Sequence, residues 1–549
     1  MGPVARAVTV DSVAIHEFTA RPIAAAHEFV LSLRHALDAP ESDIFDSEAA
    51  RLAAGGVLPD LESRLRFLMR VGLEYLTLDR PTQTLSGGEY QRARLAACLG
   101  SGLTGVCYIL DEPTIGLHPR DIGRLMESLE ELREQGNSVL LVEHDPAVMS
   151  RADYMIDVGP GAGTHGGRII ATGTPAQLAA ADTPTGRYLN GRFDKPTESP
   201  RRASLPNQGI ILRNIATHNL KNVTLELPLK VLTCITGVSG AGKSSLIIDA
   251  LIPAVRSELA VGSSRTSGDW DISGVEQIVR LVQVDQSPIG KTGRSNPATY
   301  SGLWSEVRKV FAKTREARIR GYKPGRFSFN SKSGCCESCR GQGVTRIAMN
   351  FLPDMYVTCA ACDGARFNPQ TLDIRFRDRN VADVLAMNIE QAAAFFENVP
   401  KLQRQLATFV DVGLGYLKLG QSALTLSGGE AQRVKLASEL SPTNAEGGAL
   451  YVLDEPTTGL HPADVAQLLK VLNRLVDSGH TVVVVEHDLD MVRAADWVID
   501  LGPYGGTQGG EIIATGTPED SSRQTNSHTG AALRDKTVAR QNGASFTGG

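Results

Sequence analysis

The sequence predicts an α/β fold of two related modules, the first incomplete and the second interrupted by a cysteine-bearing insertion. Three observations predict it. Residues 83–92 (QTLSGGEYQR) nearly recur at 424–433 (LTLSGGEAQR), and YILDEPTIGLHPRD at 108–121 nearly recurs as YVLDEPTTGLHPAD at 451–464. A single glycine-rich loop, Gly237-Val238-Ser239-Gly240-Ala241-Gly242-Lys243-Ser244, lies between the copies. Two Cys-x-x-Cys pairs stand between that loop and the second LSGGE segment.

Internal repeats decide architecture before any local reading. Ser86 matches Ser427 at an offset of 341, while Asp111 matches Asp454 and Glu143 matches Glu486 at 343. The agreement continues through VEHD (142–145 and 485–488) and IIATGTP (169–175 and 512–518), too far for chance. In the second copy 184 residues separate Lys243 from Ser427; counted back from Ser86, that spacing falls before residue 1. The first module is therefore expected to lack its phosphate-loop part, giving two half-sites with one complete set of parts.

Composition narrows the class. At 549 residues with 42% hydrophobic content, the chain can build several cores. A formal net charge of −5 attracts no polyanion by itself, so a nucleic-acid surface has to be local. No run of 18 apolar residues and no leader-like start occurs, so the expected location is the cytoplasm, without a membrane.

The elements follow in order. Gly87–Leu95 and Gly428–Leu436 should open helices. Gly105–Leu110 and Ala449–Leu453 are short apolar strands ending in Asp-Glu, and Ser138–Val142 and Thr481–Val485 read as buried parallel strands. Val231–Thr236 is a buried strand feeding the loop, and a helix should start at Ser244. The expected divisions are a remnant at 1–82, the C-terminal part of the first module at 83–190, and a polar linker at 191–208. The second module's loop part spans 209–286, an insertion 287–425, its C-terminal part 426–519, and a disordered tail rich in Ser, Thr, Gly and Asn 520–549.

G-x-x-x-x-G-K-[ST] between a strand and a helix is a phosphate loop, whose backbone N–H groups curl around phosphates at a helix N-terminus. Gly237 to Ser245 would form that cradle for ATP, with Lys243 reaching the β- and γ-phosphates and the Ser244 hydroxyl on Mg²⁺. Asp454, at a strand end, suits the same Mg²⁺, and Glu455 is placed to polarise an attacking water. His487, just past another strand, is a candidate γ-phosphate sensor, and His144 is its twin.

Cys336-x-x-Cys339 and Cys359-x-x-Cys362 have the spacing of a four-thiolate Zn²⁺ site, closed and structural, with Val344–Val357 as a hairpin between them. Cys335 competes with Cys336 as a ligand on sequence grounds. Upstream, residues 287–332 carry eleven Lys and Arg against two Glu, a local charge of +9. Lys291, Arg294, Arg308, Lys309, Lys313 and Arg326 are the candidates for duplex-DNA phosphates, and nearby Tyr300, Trp304, Phe311, Tyr322, Phe327 and Phe329 favour that reading over a merely solvated face.

LSGGE-x-QR, a strand-end Asp-Glu and a later strand-end His together resemble the ATP-binding-cassette class of P-loop NTPases. The DEPT-x-GLHP variant, QSPIGKTGRSNPATY at 286–300 and the cysteine pairs narrow the resemblance to the UvrA family of damage-sensing ATPases, over about residues 8 to 518. In that class ATP lies between one module's phosphate loop and the other's LSGG segment. The resemblance implies one competent composite site: the 237–245 loop, Gln286 as the Mg²⁺- and water-sensing glutamine, Asp454, Glu455 and His487, closed by Ser86, Gly87 and Gly88. The opposite site, with Asp111, Glu112, His144 and Ser427–Gly429, would be silent. It further implies ATP-coupled binding of double-stranded DNA, lesion sensing through duplex deformability, and a homodimer.

Family members typically also have an upstream phosphate loop, a second cysteine module and an insertion that binds the UvrB helicase; this sequence contains none of them, and residues 1–82 hold no cysteine. Recruitment of UvrB is thus left open. So is the choice between nucleotide excision repair and tolerance of DNA-damaging drugs. A cassette ATPase serving a transporter or ribosome, and a non-catalytic fragment needing a separate N-terminal half, are the competing readings.

Overall fold

The computed structural model describes Gly2 and residues 6–541, other than 40–43, 46, 86, 101–102, 162, 164–165, 192–200, 203–208, 261–269, 348, 350–354 and 441–447. Two compact units result. The first comprises Met1–Met155, Thr172–Leu281 and Thr481–Gly549; the second comprises Ile156–Ala171 and Val282–His480. Each unit takes pieces of both sequence copies, so the repeat boundaries are not the fold boundaries.

In the first unit, strands run in the order Thr481–Val485, Leu232–Gly237, Trp497–Gly502, Glu511–Gly516. The first three are parallel, with Val482 opposite Leu232 and Trp497 opposite Thr233, and the last is antiparallel. Leu232–Gly237 (LTCITG) is buried along its whole length, so its residues do not alternate between a core face and a solvent face. A three-stranded antiparallel sheet, Asp271–Ser273, Gly209–Ile215 and Val223–Pro228, accompanies it.

The first copy's strands in this unit differ from expectation. Cys107–Asp111 and Ser138–Val142 pair in parallel, but as a separate two-stranded sheet. Ile109, Leu140 and Val142 are exposed, while Tyr108 turns into a core shared with the helices Ile23–Asp38, Glu48–Arg70, Gly87–Leu99 and Pro119–Glu134. A sheet packed on one face alternates in burial even when both faces are apolar in composition. The expected helix after the loop begins instead as a π-helical stretch, Ser245–Leu251, before regular helix at Ile252–Leu259.

One further expectation is corrected. The tail assigned to disorder contains the helices Pro518–Arg523 and His528–Gln541. Thr517 caps the first through a reciprocal box with Asp520, and Leu533 of the second is buried; only residues 542–549 lie outside the described residues. Polar composition misled there because the Ser and Thr serve as caps and buried partners. Most of the expected linker at 191–208 also lies outside the described residues. Arg202, however, is anchored by its N–H and guanidinium to buried Asp496, both at 2.9 Å.

The second unit carries Ala449–Asp454 beside the strand ending at Val284, flanked by the helices Leu303–Ala312, Pro400–Asp411, Gly428–Leu440 and Pro462–Asp477. The expected hairpin forms from Val344–Ile347 and Met355–Thr358, antiparallel with Val344 opposite Thr358. No described helix is long and apolar enough to cross a membrane.

Candidate functional site

The strand Leu232–Gly237 runs straight into the phosphate loop. Gly237 has φ 139°, and a Cβ there would meet the Leu501 carbonyl oxygen at 2.2 Å; Gly240 has φ 74° and would meet the Tyr75 ring at 2.8 Å. Only glycine fits either position, which leaves the loop's backbone free to turn its N–H groups inward. Asn219 Nδ2 braces the loop by donating to the Gly240 and Gly506 carbonyls, each at 3.1 Å. Buried Lys243 donates from Nζ to Gly237 O at 2.9 Å and Val238 O at 3.1 Å. The Ser239 hydroxyl donates to Gly116 O at 3.3 Å, tying the loop to the GLHP turn of the first copy.

His487 follows the strand Thr481–Val485 in the same unit. Burial first, then the charges of Lys243 and His118, hold its pKa well below the usual imidazole value, so the ring is neutral. Its Nδ1 is buried with no hydrogen-bond partner among the described residues. Glu486 fixes the turn by accepting the N–H of His487 at 2.9 Å and of Asp488 at 3.3 Å. A glycine cradle, a buried lysine and an orphaned imidazole nitrogen on one unit fit a nucleotide's phosphates.

The second unit assembles a different part of the predicted set. Gln286 Nε2 donates to Glu455 O at 3.4 Å and Thr458 Oγ1 at 3.3 Å, and a Cβ on Gly428 would stand 3.3 Å from Gln286 Oε1. Asp454 ends its strand, and its carbonyl accepts from Gln432 Nε2 at 2.6 Å. Glu455 adopts φ 44°, and its twin Glu112 in the first unit φ 46°. A left-handed glutamate at the same place in both copies was not read from the sequence. Gln286, Asp454, Glu455 and Gly428 are thus brought together within this unit.

The LSGG segments also reveal a missed partner. Glu430 accepts the Tyr416 hydroxyl at 2.7 Å, and Glu89 accepts that of Tyr75 at 2.6 Å, the same pair in both copies. The repeat itself carried that signal, since both pairs are spaced by 14 residues. Ser427 opens its helix by accepting the Glu430 N–H at 3.2 Å. Gly88 abuts the Ile115 carbonyl, which a Cβ would meet at 2.4 Å, whereas Ser86 lies outside the described residues and nothing is described of Gly87 beyond its place at the helix start. In the first copy's half-site, His144 Nδ1 lies 3.8 Å from Glu112 Oε1.

The four predicted thiols form one cluster, with the sulfurs of Cys336, Cys339, Cys359 and Cys362 all within 4.8 Å of one another. Cys339 and Cys362 sulfurs are 3.7 Å apart, close to the ~3.8 Å edge of a tetrahedron with Zn–S bonds of about 2.3 Å. Gly343 N–H donates to Cys339 Sγ at 3.2 Å, a contact suited to a thiolate. Burial opposes ionisation of Cys359, yet N–H groups of Ala361 and Cys362 and the Ser338 side chain bring its thiol down to about 6. Burial and its sulfur neighbours push Cys362 up to about 12. Four thiols so close fit a single soft cation that holds all of them ionised. Cys335 bridges to Phe367 and stands outside the cluster, which resolves its competition with Cys336.

The basic stretch is only partly free to meet a ligand. Lys291, Lys309 and Lys313 are exposed, and Arg294 is half-buried. Lys309 and Lys401 both pair with Glu306 at 2.9 Å. Arg326 is used by the fold: it donates to Thr371, Asn368 and Gln370 and lies over the Tyr322 ring at 4.6 Å. Arg308 is half-buried and donates to Ser305 Oγ at 3.4 Å. Trp304, Phe311, Phe327 and Phe329 are buried in an aromatic core, so they do not offer the surface that the sequence suggested. Their hydrophobic content outweighs any stacking role at the surface.

No protein-family model matches the chain. The UvrABC system protein A of Staphylococcus epidermidis is 53% identical over 490 residues, which cover 89% of this chain and 52% of that protein. The Staphylococcus aureus protein of the same name is 52% identical over 491 residues, with the same coverage. Among solved structures, UvrA2 from Deinococcus radiodurans superposes with a TM-score of 0.89 at 45% identity, covering 97% of this chain and 64% of that one. The chain spans about half the length of the curated relatives it matches. At 52–53% identity to the two staphylococcal proteins through 89% of its length, the chain belongs to the UvrA family.

Proposed function

We propose that the chain is a UvrA-type ATPase that binds duplex DNA and senses lesions, in nucleotide excision repair or tolerance of DNA-damaging drugs, in the cytoplasm. The observation that carries this reading is the glycine cradle around Lys243, with His487 Nδ1 on the same unit buried and without a hydrogen-bond partner among the described residues. Lys243 would leave the Gly237 and Val238 carbonyls to hold β- and γ-phosphate oxygens, and Ser244 would take Mg²⁺. When bound, the Mg²⁺ neutralises developing phosphate charge. In the second unit, Asp454 would serve as the acidic metal ligand and Glu455 would orient water as a general base, with Gln286 keeping the turn between them and Thr458 in place. His487 would donate to a γ-phosphate oxygen through Nδ1, the nitrogen with no hydrogen-bond partner among the described residues.

The four-cysteine cluster supports a structural zinc held by Cys336, Cys339, Cys359 and Cys362. The exposed lysines Lys291, Lys309 and Lys313 favour contact with DNA phosphates, and half-buried Arg294 is a further candidate. A homodimer is part of this reading, and UvrB remains a candidate partner. The test is ATP hydrolysis by the purified chain, with and without damaged duplex. Lys243→Ala should abolish turnover; hydrolysis that survives this change, or indifference to every duplex, sinks the reading.

A further inference from the structure

A buried polar network behind the phosphate loop belongs to none of the groups assigned so far. Thr529, at the start of the helix His528–Gln541, lies in the first unit with His118, Asp500 and Thr236, and each of the four is about 1% exposed. The Thr529 hydroxyl is 2.9 Å from Asp500 Oδ1, 3.1 Å from His118 Nε2 and 3.3 Å from Thr236 Oγ1. Ser527 donates to the other Asp500 oxygen at 2.5 Å.

The proton directions follow from the donors. The Arg120 N–H points at His118 Nδ1 at 3.2 Å, so Nδ1 accepts and the ring's single proton sits on Nε2. Burial first, then the charge of Lys243, lowers the His118 pKa to about 3, consistent with one ring proton. Nε2–H therefore donates to Thr529 Oγ1. The Thr529 hydrogen must then point at Asp500, and Thr236 fills the remaining lone pair as a donor.

This chain of bonds ends at the nucleotide side. The His118 ring stands edge-on to His487 with centroids 6.0 Å apart, and Gly116, two residues before His118, accepts from Ser239 of the phosphate loop. One hydroxyl thus links the C-terminal helix to the GLHP turn of the first copy, and through that turn to the phosphate loop of the second. The sequence repeats the element: TPTG at 183–186 stands where SHTG stands at 527–530.

We infer that Thr529 is a positioning residue of the phosphate-loop site, its hydroxyl accepting the Nε2–H of His118 and so fixing the orientation of that ring against His487. The inference rests on the ATPase reading for its effect on turnover, but its effect on the His118 ring does not. Thr529→Val keeps the shape and removes the hydroxyl; Thr529→Ser restores it. In the full chain with ¹⁵N-labelled histidines, Thr529→Val should shift the His118 Nε2 resonance, because its hydrogen-bond acceptor is lost while the Arg120 N–H keeps the proton on Nε2. It should also lower kcat for ATP on the order of tenfold, with KM within about twofold, while Thr529→Ser returns both readouts to wild type. Ser527→Ala loses a bond to the same carboxylate and should leave the His118 nitrogens unmoved. Should Thr529→Val fail to fold, Asp500→Asn takes its place with the same two measurements. Wild-type nitrogen shifts and wild-type kcat in the valine variant overturn the inference. A wild-type chain no faster than Lys243→Ala instead defeats the ATPase reading, and the nitrogen shifts alone then decide the role of Thr529.

Discussion

Glu112 and Glu455 follow strand-end aspartates and hold φ values of 46° and 44°. A left-handed conformation costs a side-chain-bearing residue about 1–2 kcal/mol, so its recurrence in both copies marks a geometry the surrounding turn enforces. If Glu455 orients the attacking water, Glu455→Gln should cut ATP hydrolysis by roughly 100-fold or more while a fluorescent ATP analogue still binds; loss of binding with hydrolysis would assign it to the fold. His118 gives a second prediction at this scale. Burial first, then the charge of Lys243, with His528 and Arg120 also facing the ring, holds its folded pKa at about 3, below the unfolded value of 6.5. The unfolded chain therefore binds a proton that the folded chain refuses. This contribution is complete above pH 6.5 and erodes as pH falls toward 3, by at most ~1.4 kcal/mol per unit. His118→Gln should flatten that part of the pH dependence of thermal melting between pH 6.5 and 5, and an unchanged slope contradicts it. The candidate residues stood out in the sequence because chemistry demands their types at fixed spacings: Lys243 lies buried in its glycine loop, Asp454 ends its strand with Glu455 next, and the four cysteines meet in one cluster. Thr529 and Asp500 did not, since a lone Thr and a lone Asp carry no spacing signal and gain meaning only when burial brings them together.

Secondary structure was read best where period and neighbours agreed. Thr481–Val485 and Ser138–Val142 match the expected spans, since short β-branched runs bounded by turn residues leave few alternatives. The burial of Ser138–Val142 was misread because composition reports the preference for an apolar neighbour, while exposure depends on which strands are present to supply it. The C-terminal helices were missed for the opposite reason. Residues 518–541 look hydrophilic, but one apolar side chain, Leu533, is 3% exposed, and Arg493 donates to its carbonyl at 2.7 Å. Leu533→Ala should cost about 2–3 kcal/mol by leaving a cavity. Hydrogen exchange at 528–541 should accelerate with it; if the helix stays protected and the melting point holds, its docking rests on the polar network alone.

At the scale of the whole molecule, charge is segregated: a chain with net −5 carries +9 in 46 residues of the second unit. The structure removes part of that charge from use, because Arg326 is bound to Thr371, Asn368 and Gln370, and Lys309 shares Glu306 with Lys401. Exposed Lys291 and Lys313 retain the most freedom, and their compact ammonium groups suit phosphates without reading bases. If the proposed duplex binding holds, it should be nearly independent of sequence and steeply dependent on salt, with log K falling by about 0.9 per neutralised phosphate in log salt. Replacing Lys291 and Lys313 together by Glu should lower affinity for all duplexes alike and reduce the salt slope by about 2. Arg326→Ala should act differently: it removes internal hydrogen bonds, so melting should suffer while the slope stays near wild type. A slope untouched by the double lysine change, measured by fluorescence anisotropy from 50 to 300 mM salt (a range on the order of that used for such plots), would move the DNA surface elsewhere, even with ATP hydrolysis intact.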